Sequence, residues 1–179
     1  AHPLARISRQ AYALAACGRP GPVLNSVPLD RQADAADVPE ANAIELPEPP
    51  APAASAVTQI RTALADAKRP VLLAGGGVVQ SGASARFRQI AEHLGLPVVA
   101  TYQAKGVLPE DHPLYGRYPG SKGTDTGNAL CREADVILAV GCRFADEAAS
   151  SYVPGVTFSI PPTKLYQVDI DEYEIGTNY

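Results

Sequence analysis

Methionine and tryptophan are missing from this 179-residue sequence. Without even an initiating Met, it reads as a segment cut or processed from a longer chain. Long apolar runs are missing too. None approaches the roughly 20 residues a membrane-spanning helix needs, so no membrane span is expected. The opening Ala1-His-Pro-Leu-Ala-Arg6 has no charged head leading into an apolar stretch, so no signal peptide is expected there. Cysteine is scarce. Cys17, Cys131 and Cys142 are odd in number, far apart and without a C-x-x-C pair, which argues against a disulfide framework or a zinc site. Reduced thiols in a cytoplasmic protein are the expectation. Positive charge is not concentrated: 15 Lys and Arg are scattered among 19 Asp and Glu, for a net charge of −4. A nucleic-acid binder gathers its basic residues on one face or tail, so no nucleic-acid partner is expected. His2, His93 and His112 are far apart, with no H-E-x-x-H, and there is no G-x-S-x-G. The chain therefore offers no acid–base constellation, and no catalytic residue or metal ligand is assigned.

What remains is ordinary in bulk, with 46% hydrophobic residues, and falls into three blocks. In residues 1–30, Ile7, Tyr12, Leu14 and several alanines predict a helix. Gly18-Arg-Pro-Gly-Pro22 stops it, and Val23–Val27 predicts a short strand ended by Pro28. One helix and one strand cannot bury a core, so this block must pack on something else. Residues 31–55, with Pro47-Glu-Pro-Pro-Ala-Pro52, lack periodicity and predict an extended, semi-rigid linker. Residues 56–179 alternate helix and strand signals. Val57, Ile60, Leu64 and Ala67 recur at helical spacing, with Pro70 as the stop, and Val71–Ala74 is a strand. Ala83, Phe87, Ile90 and Leu94 mark a helix closed by Gly95, and Pro97–Thr101 is a strand. A short helix over Gly127–Glu133, strands at Val136–Val140 and Lys164–Val168, and a helix start from Asp171 to Asn178 complete the block. This pattern predicts an α/β fold, a doubly wound parallel sheet.

The run Arg69-Pro-Val-Leu-Leu-Ala-Gly-Gly-Gly77 carries the strongest functional signal. An apolar strand ending in glycines lets a backbone approach a phosphate. Gly75 and Gly77 fit G-x-G-x-x-G, but Gln80 fills the third glycine position, and Thr101 stands where an NAD site puts a carboxylate. A ligand-free tight turn reads the glycines equally well. Gly120-Ser-Lys-Gly123, in the long loop before the next strand, could wrap an anion, with Lys122 adding charge. Gly141 permits a turn, after which Arg143 could hold a phosphate and Asp146 could hold Arg143. Asp169 ends a strand, where a carboxylate can meet a ribose or adenine edge.

Together these residues resemble the central domain of thiamine-diphosphate-dependent enzymes of the acetolactate synthase type. The resemblance is carried in order by Gly18-Arg-Pro-Gly-Pro-Val-Leu-Asn-Ser-Val-Pro-Leu-Asp30, the glycine run, Ala100-Thr101 with Gly106 and Asp111-His-Pro-Leu114, Ala134-Asp-Val-Ile-Leu-Ala-Val-Gly-Cys-Arg-Phe144, and Val168-Asp-Ile-Asp-x-x-Glu-Ile-Gly176. It implies that residues 1–30 end a pyrimidine-binding domain and that 56–179 form a Rossmann-like central domain truncated at its C-terminus. The parent would be a 2-oxo acid decarboxylase or carboligase, a transferase or lyase using thiamine diphosphate and Mg2+, and a homo-oligomer. Its pyrimidine- and diphosphate-binding domains would be this segment's partners, and the segment alone would bind no thiamine diphosphate and catalyse nothing. In several family members the central domain carries FAD. The resemblance then places Gly75, Gly76, Gly77, Thr101, Tyr102, Gly120, Ser121, Lys122, Gly141, Arg143, Asp146 and Asp169 near such a ligand. Three stretches depart from the flavin pattern: Gly120-Ser-Lys122 for G-M-H, Gln103-Ala-Lys-Gly106 for Q-G-x-G, and Arg143-Phe-Ala-Asp-Glu147 for R-F-D-D-R. FAD, another adenine nucleotide such as ADP or coenzyme A, and an empty site all remain open. So does a free-standing FAD- or NAD-binding module.

Overall fold

A computed structural model describes residues 3–35 and 43–179; His2 and part of the expected linker lie outside them. The chain divides into two compact units, Ala1–Ala51 and Pro52–Tyr179.

In the first unit, helix α1 (Pro3–Ala16) has no buried residue. Leu4, Ile7, Tyr12 and Leu14 are all exposed. Val23–Val27 forms no strand among the described residues, contrary to the expected β-strand, and Leu24 is 91% exposed. A short helix α2 (Leu29–Gln32) follows Pro28, so regular structure runs into the expected linker.

The second unit is a parallel sheet covered on both faces. Helix α3 (Ala54–Asp66) ends before Pro70, which instead opens strand β1 (Pro70–Ala74). Next come α4 (Gly76–Gln80), α5 (Ser84–Leu94) and β2 (Val98–Ala100). Then follow α6 (Asp125–Glu133), β3 (Val136–Val140), α7 (Asp146–Ala149) and β4 (Lys164–Val168). The strand order is β2-β1-β3-β4, every pairing parallel, with Leu72 opposite Val98 and Leu138, and Leu138 opposite Tyr166. Side chains alternate across the sheet and build two cores. Val71, Leu73, Val99, Ile137 and Ala139 join Cys131 of α6, Phe144 and Phe158 on one face. Leu72, Ala74, Val98 and Ala100 join Phe87 and Ala91 of α5 on the other. Continuous apolar strands are what a doubly covered parallel sheet requires.

The ends of these elements explain their lengths. Gly95 closes α5 at φ +64°, a left-handed conformation that favours glycine. Thr124 caps α6, accepting the Gly127 N–H at 3.1 Å, and so starts the helix two residues before the predicted Gly127. At the other end of α6, Ser159 and Thr163 hydroxyls donate to the carbonyls of Arg132 and Ala134 at 2.7 and 2.6 Å. The loop after β2 also covers that strand's edge. Val98 N–H donates to Leu114 O at 2.8 Å, and Gly116 N–H donates to Val98 O at 2.7 Å. The helix predicted over Asp171–Asn178 is a single 3-10 turn, Glu172–Glu174. Gly176 sits at φ +72° and donates its N–H to Gln167 Oε1 at 3.0 Å, which turns the chain out of a helix.

Asp135 ties the start of β1 to the start of β3. Its carboxylate accepts the Lys68 and Arg69 N–H groups at 2.7 and 2.9 Å, which fixes the entry of β1 beside β3. Burial alone would raise its pKa, but the hydrogen bonds from Lys68 and Arg69 outweigh it, and the value is lowered. Replacing Asp135 with Ala is expected to cost about 1–2 kcal/mol, discounted for solvent screening. A depressed folded value means that this stabilisation is complete above the ordinary aspartate value of 3.8 and is lost as pH falls below it. Acid unfolding of the wild type and the variant should therefore converge at low pH. A constant gap between the two curves down to pH 2 would contradict the assignment.

Candidate functional site

The chain leaves β1 toward β2 on one side of the sheet and later returns to β3 on the other side of β1. In open α/β sheets this reversal opens a crevice at the carboxyl ends of the strands. Here it is a cleft of about 130 Å3. The glycines after β1 (Gly75, Gly76), the residues after β2 (Thr101, Tyr102, Gln103) and the loop after β3 (Gly141 to Ala145) line it, with Glu147 and Ala148 of α7. Thus Gly75, Gly76, Thr101, Tyr102, Gly141 and Arg143, six of the twelve sequence-derived candidates, meet in one place.

The geometry gives the glycines a reason that does not depend on a ligand. A Cβ on Gly75 would lie 2.0 Å from Gly141 O, and one on Gly77 would lie 2.7 Å from Gly141 Cα. Gly141 is itself at φ +58°, and its own Cβ would meet Gly77 Cα at 2.6 Å. The two turns touch backbone to backbone. Gly75 N–H donates to Val140 O at 2.8 Å and Gly77 N–H to Gly141 O at 3.1 Å, so neither amide is available to an anion. Helix α4 has only five residues and no side-chain cap.

The second expected cradle is also internally occupied. Gly120 N–H donates to Asn128 Oδ1 at 2.8 Å, Ser121 N–H to Glu147 O at 3.2 Å, and Gly123 N–H to Gly120 O at 2.9 Å. These bonds brace the loop against α6 and α7 rather than wrap an anion. Lys122 Nζ lies 3.5 Å from Glu147 Oε1 in an exposed pair, which is worth little.

Asp146 does not hold Arg143: its Oδ1 accepts the Tyr152 hydroxyl at 3.0 Å. Arg143 is exposed, and its guanidinium has no partner among the described residues. Asp169 lies outside the residues that line the cleft, and its Oδ1 accepts the Asp171 N–H at 3.0 Å as a local turn. Tyr102, 49% exposed, stacks on Tyr118 with ring centroids 6.0 Å apart. Cys142 is buried, which pushes its thiol pKa up to about 11. It is a thiol rather than a nucleophilic thiolate at neutral pH.

Several lining or supporting residues were not among the sequence-derived site candidates: Gln103, Glu147, Gln167, Phe158 and Asn178. One signal for Gln167 was visible, since it is a polar residue in an otherwise apolar stretch of strand. Phe158 is one of only three phenylalanines and falls in an irregular segment.

The arrangement does not fit a metal-bound diphosphate. Among the described residues, no three His, Cys, Asp or Glu side chains are grouped to hold a metal ion. The Gly75, Gly77, Gly120, Ser121 and Gly123 amides are occupied, and Glu147 adds a carboxylate to the lining. An exposed guanidinium and a half-exposed aromatic ring lining the same cleft fit one phosphate of a metal-free nucleotide and a flat ring. No described helix is long and apolar enough to cross a membrane.

Comparison with known proteins agrees with this topology. Residues 57–179 match the family described as the thiamine pyrophosphate enzyme, central domain. An acetolactate synthase large subunit of Corynebacterium glutamicum is 37% identical over 93% of this chain, which spans 26% of that protein. The chloroplastic acetolactate synthase 1 of Zea mays is 35% identical over 97% of the chain, which spans 27% of it. The X-ray structure of a Mycobacterium smegmatis protein described as a thiamin diphosphate-dependent enzyme superposes with a TM-score of 0.75 at 30% identity, over 97% of this chain and 33% of the other. The chain thus covers a third or less of each of these proteins. It belongs to the thiamine pyrophosphate enzyme family, as a central domain of the kind found in acetolactate synthases.

Proposed function

We propose that this chain is the non-catalytic middle layer of a cytoplasmic, oligomeric enzyme that uses thiamine diphosphate and Mg2+ to decarboxylate or ligate 2-oxo acids. The observation that carries this reading is the closed junction at the switch point, where glycine backbones interlock. When bound elsewhere in the parent, the cofactor would supply the electron sink for carbanion chemistry. This chain would supply rigidity and a surface for its neighbours. The apolar side chains exposed along α1 support a partner domain of the same protein, of the pyrimidine-binding kind. The full-length protein supplied with thiamine diphosphate and Mg2+ should consume pyruvate or a related 2-oxo acid, and the 179-residue segment alone should not. Turnover by the segment alone would overturn the reading.

One observation favours a second role within the same layer. The unpaired Arg143, lining one cleft with Tyr102, supports an adenine nucleotide, ADP or FAD, held without chemistry. Bound flavin would give the purified full-length protein absorbance near 450 nm. ADP should bind the wild type and lose affinity roughly 10- to 100-fold in Arg143→Gln, the size of one charge-assisted phosphate contact. Equal affinity in both proteins would take the ligand away from this cleft.

A further inference from the structure

Three consecutive carbonyls on the loop after β3 are held by side chains from other parts of the fold. Gln167 Nε2 donates to Cys142 O at 3.0 Å. Asn178 Nδ2 donates to Arg143 O at 2.9 Å and, more weakly, to Phe144 O at 3.4 Å. The Tyr152 hydroxyl lies 2.8 Å from Phe144 O and shares its one proton between that carbonyl and Asp146 Oδ1. Phe144 stands at φ +54°, a conformation that costs a residue with a Cβ unless its surroundings hold it.

The same two amides bind residues 174–178 to this loop. Besides its bond to Cys142 O, Gln167 donates to Glu174 O at 3.0 Å and accepts the Gly176 N–H at 3.0 Å. Tyr179 packs edge-on against the Phe144 ring with centroids 5.1 Å apart. Residues 174–179 are thus joined through side chains to the stretch that carries Arg143 into the cleft. The arginine's own side chain has no partner among the described residues, so its placement follows from that of its backbone.

We infer that Asn178 is a positioning residue for the cleft: its amide, seconded by Gln167, fixes the backbone of residues 142–144 and so aims Arg143. The consequence for a ligand rests on the nucleotide reading above, while the clamp itself does not. An anion at Arg143 and the ordering of residues 174–179 then reinforce each other, a coupling that works in both directions.

The test uses the full-length protein, amide hydrogen exchange over residues 143–150, and ADP as the probe ligand. Asn178→Ala should raise exchange in that segment roughly tenfold while β1 and β3 keep their protection. Asn178→Asp keeps the shape but loses the donor. It should do the same, and it serves if the Ala variant does not fold. Either variant should weaken ADP, and adding Arg143→Gln should weaken it little further, because both changes act on one contact. Unchanged exchange at 143–150 in the folded Asp variant overturns the clamp. Raised exchange with wild-type ADP affinity overturns the positioning role. If the wild type takes up no ADP, the nucleotide reading falls, and exchange at 143–150 still decides for or against the clamp.

Discussion

Gly75→Ala is expected to destabilise the domain by about 3 kcal/mol or more, the upper range for overpacking a close-packed site. The cause is steric and not conformational. Gly75 has φ −102° and ψ 176°, extended backbone that alanine adopts freely. Its added methyl would lie 2.0 Å from Gly141 O and 2.5 Å from Cys142 Cα. Both obstacles are backbone, so no side chain can swing aside. Relief requires β1 and β3 to part where Gly75 N–H extends their ladder to Val140 O at 2.8 Å. Gly82→Ala is the control. It faces open space but sits at φ +69°, so it carries only the left-handed penalty of about 1–2 kcal/mol. Urea unfolding followed by far-UV circular dichroism separates the two. If Gly75→Ala is no worse than Gly82→Ala, the interlocked turns are not close-packed as described.

Much of the sheet was legible because its signals are local. Strands β3 and β4 stand where apolar runs bounded by polar, Pro or Gly residues placed them, and β1 gains only Pro70. Val23–Val27 has the same local character and forms no strand, because β-propensity needs a neighbouring strand and a covered face. The helix read after β4 fails for a similar reason. Its start signals are genuine, since Asp171 caps a turn, but Gly176 and the reach of Gln167 end it after one 3-10 turn. The parallel direction of the strands followed from the alternation of elements, whereas their order was not read from the sequence.

The candidate site was legible as a location but not as a mechanism. Gly75 and Gly141 were both singled out, yet what links them is contact across a long stretch of sequence. Glycine permits close approach by any backbone, and the sequence does not say whether the approaching group is a phosphate or another turn. The amides of Gly120 and Ser121 show the same ambiguity, resolved by Asn128 and Glu147, residues that local motifs did not mark. Asn178 and Gln167 act through carbonyls, which have no sequence signature. What could be read in advance was residue type at strand ends. What could not was which hydrogen bonds those residues had already made.

Phe158→Ala is expected to cost about 3–5 kcal/mol, the range for truncating a fully buried aromatic ring. Phe158 has 0% exposure although it lies in an irregular segment between α7 and β4. Its ring meets Phe144 at 5.4 Å and Tyr179 at 5.7 Å, at interplanar angles of 75° and 71°, both edge-to-face. Such pairs add about 0.5–1.5 kcal/mol beyond the area they bury. Deleting the ring removes the floor beneath Phe144, whose left-handed backbone carries Arg143 into the cleft. Local loss should therefore exceed global loss: exchange at 143–150 should rise before the strands open. Phe158→Leu refills most of the volume and should cost roughly 1–2 kcal/mol, restoring packing but not the edge-to-face contacts. If Phe158→Ala costs less than about 1 kcal/mol, below the cavity range, residues 151–163 are a surface loop, and the loop carrying Arg143 is held by hydrogen bonds alone. The aromatic triad and the amide clamp then make separable contributions, and only the double variant Phe158→Leu with Asn178→Asp distinguishes additive loss from a single cooperative unit.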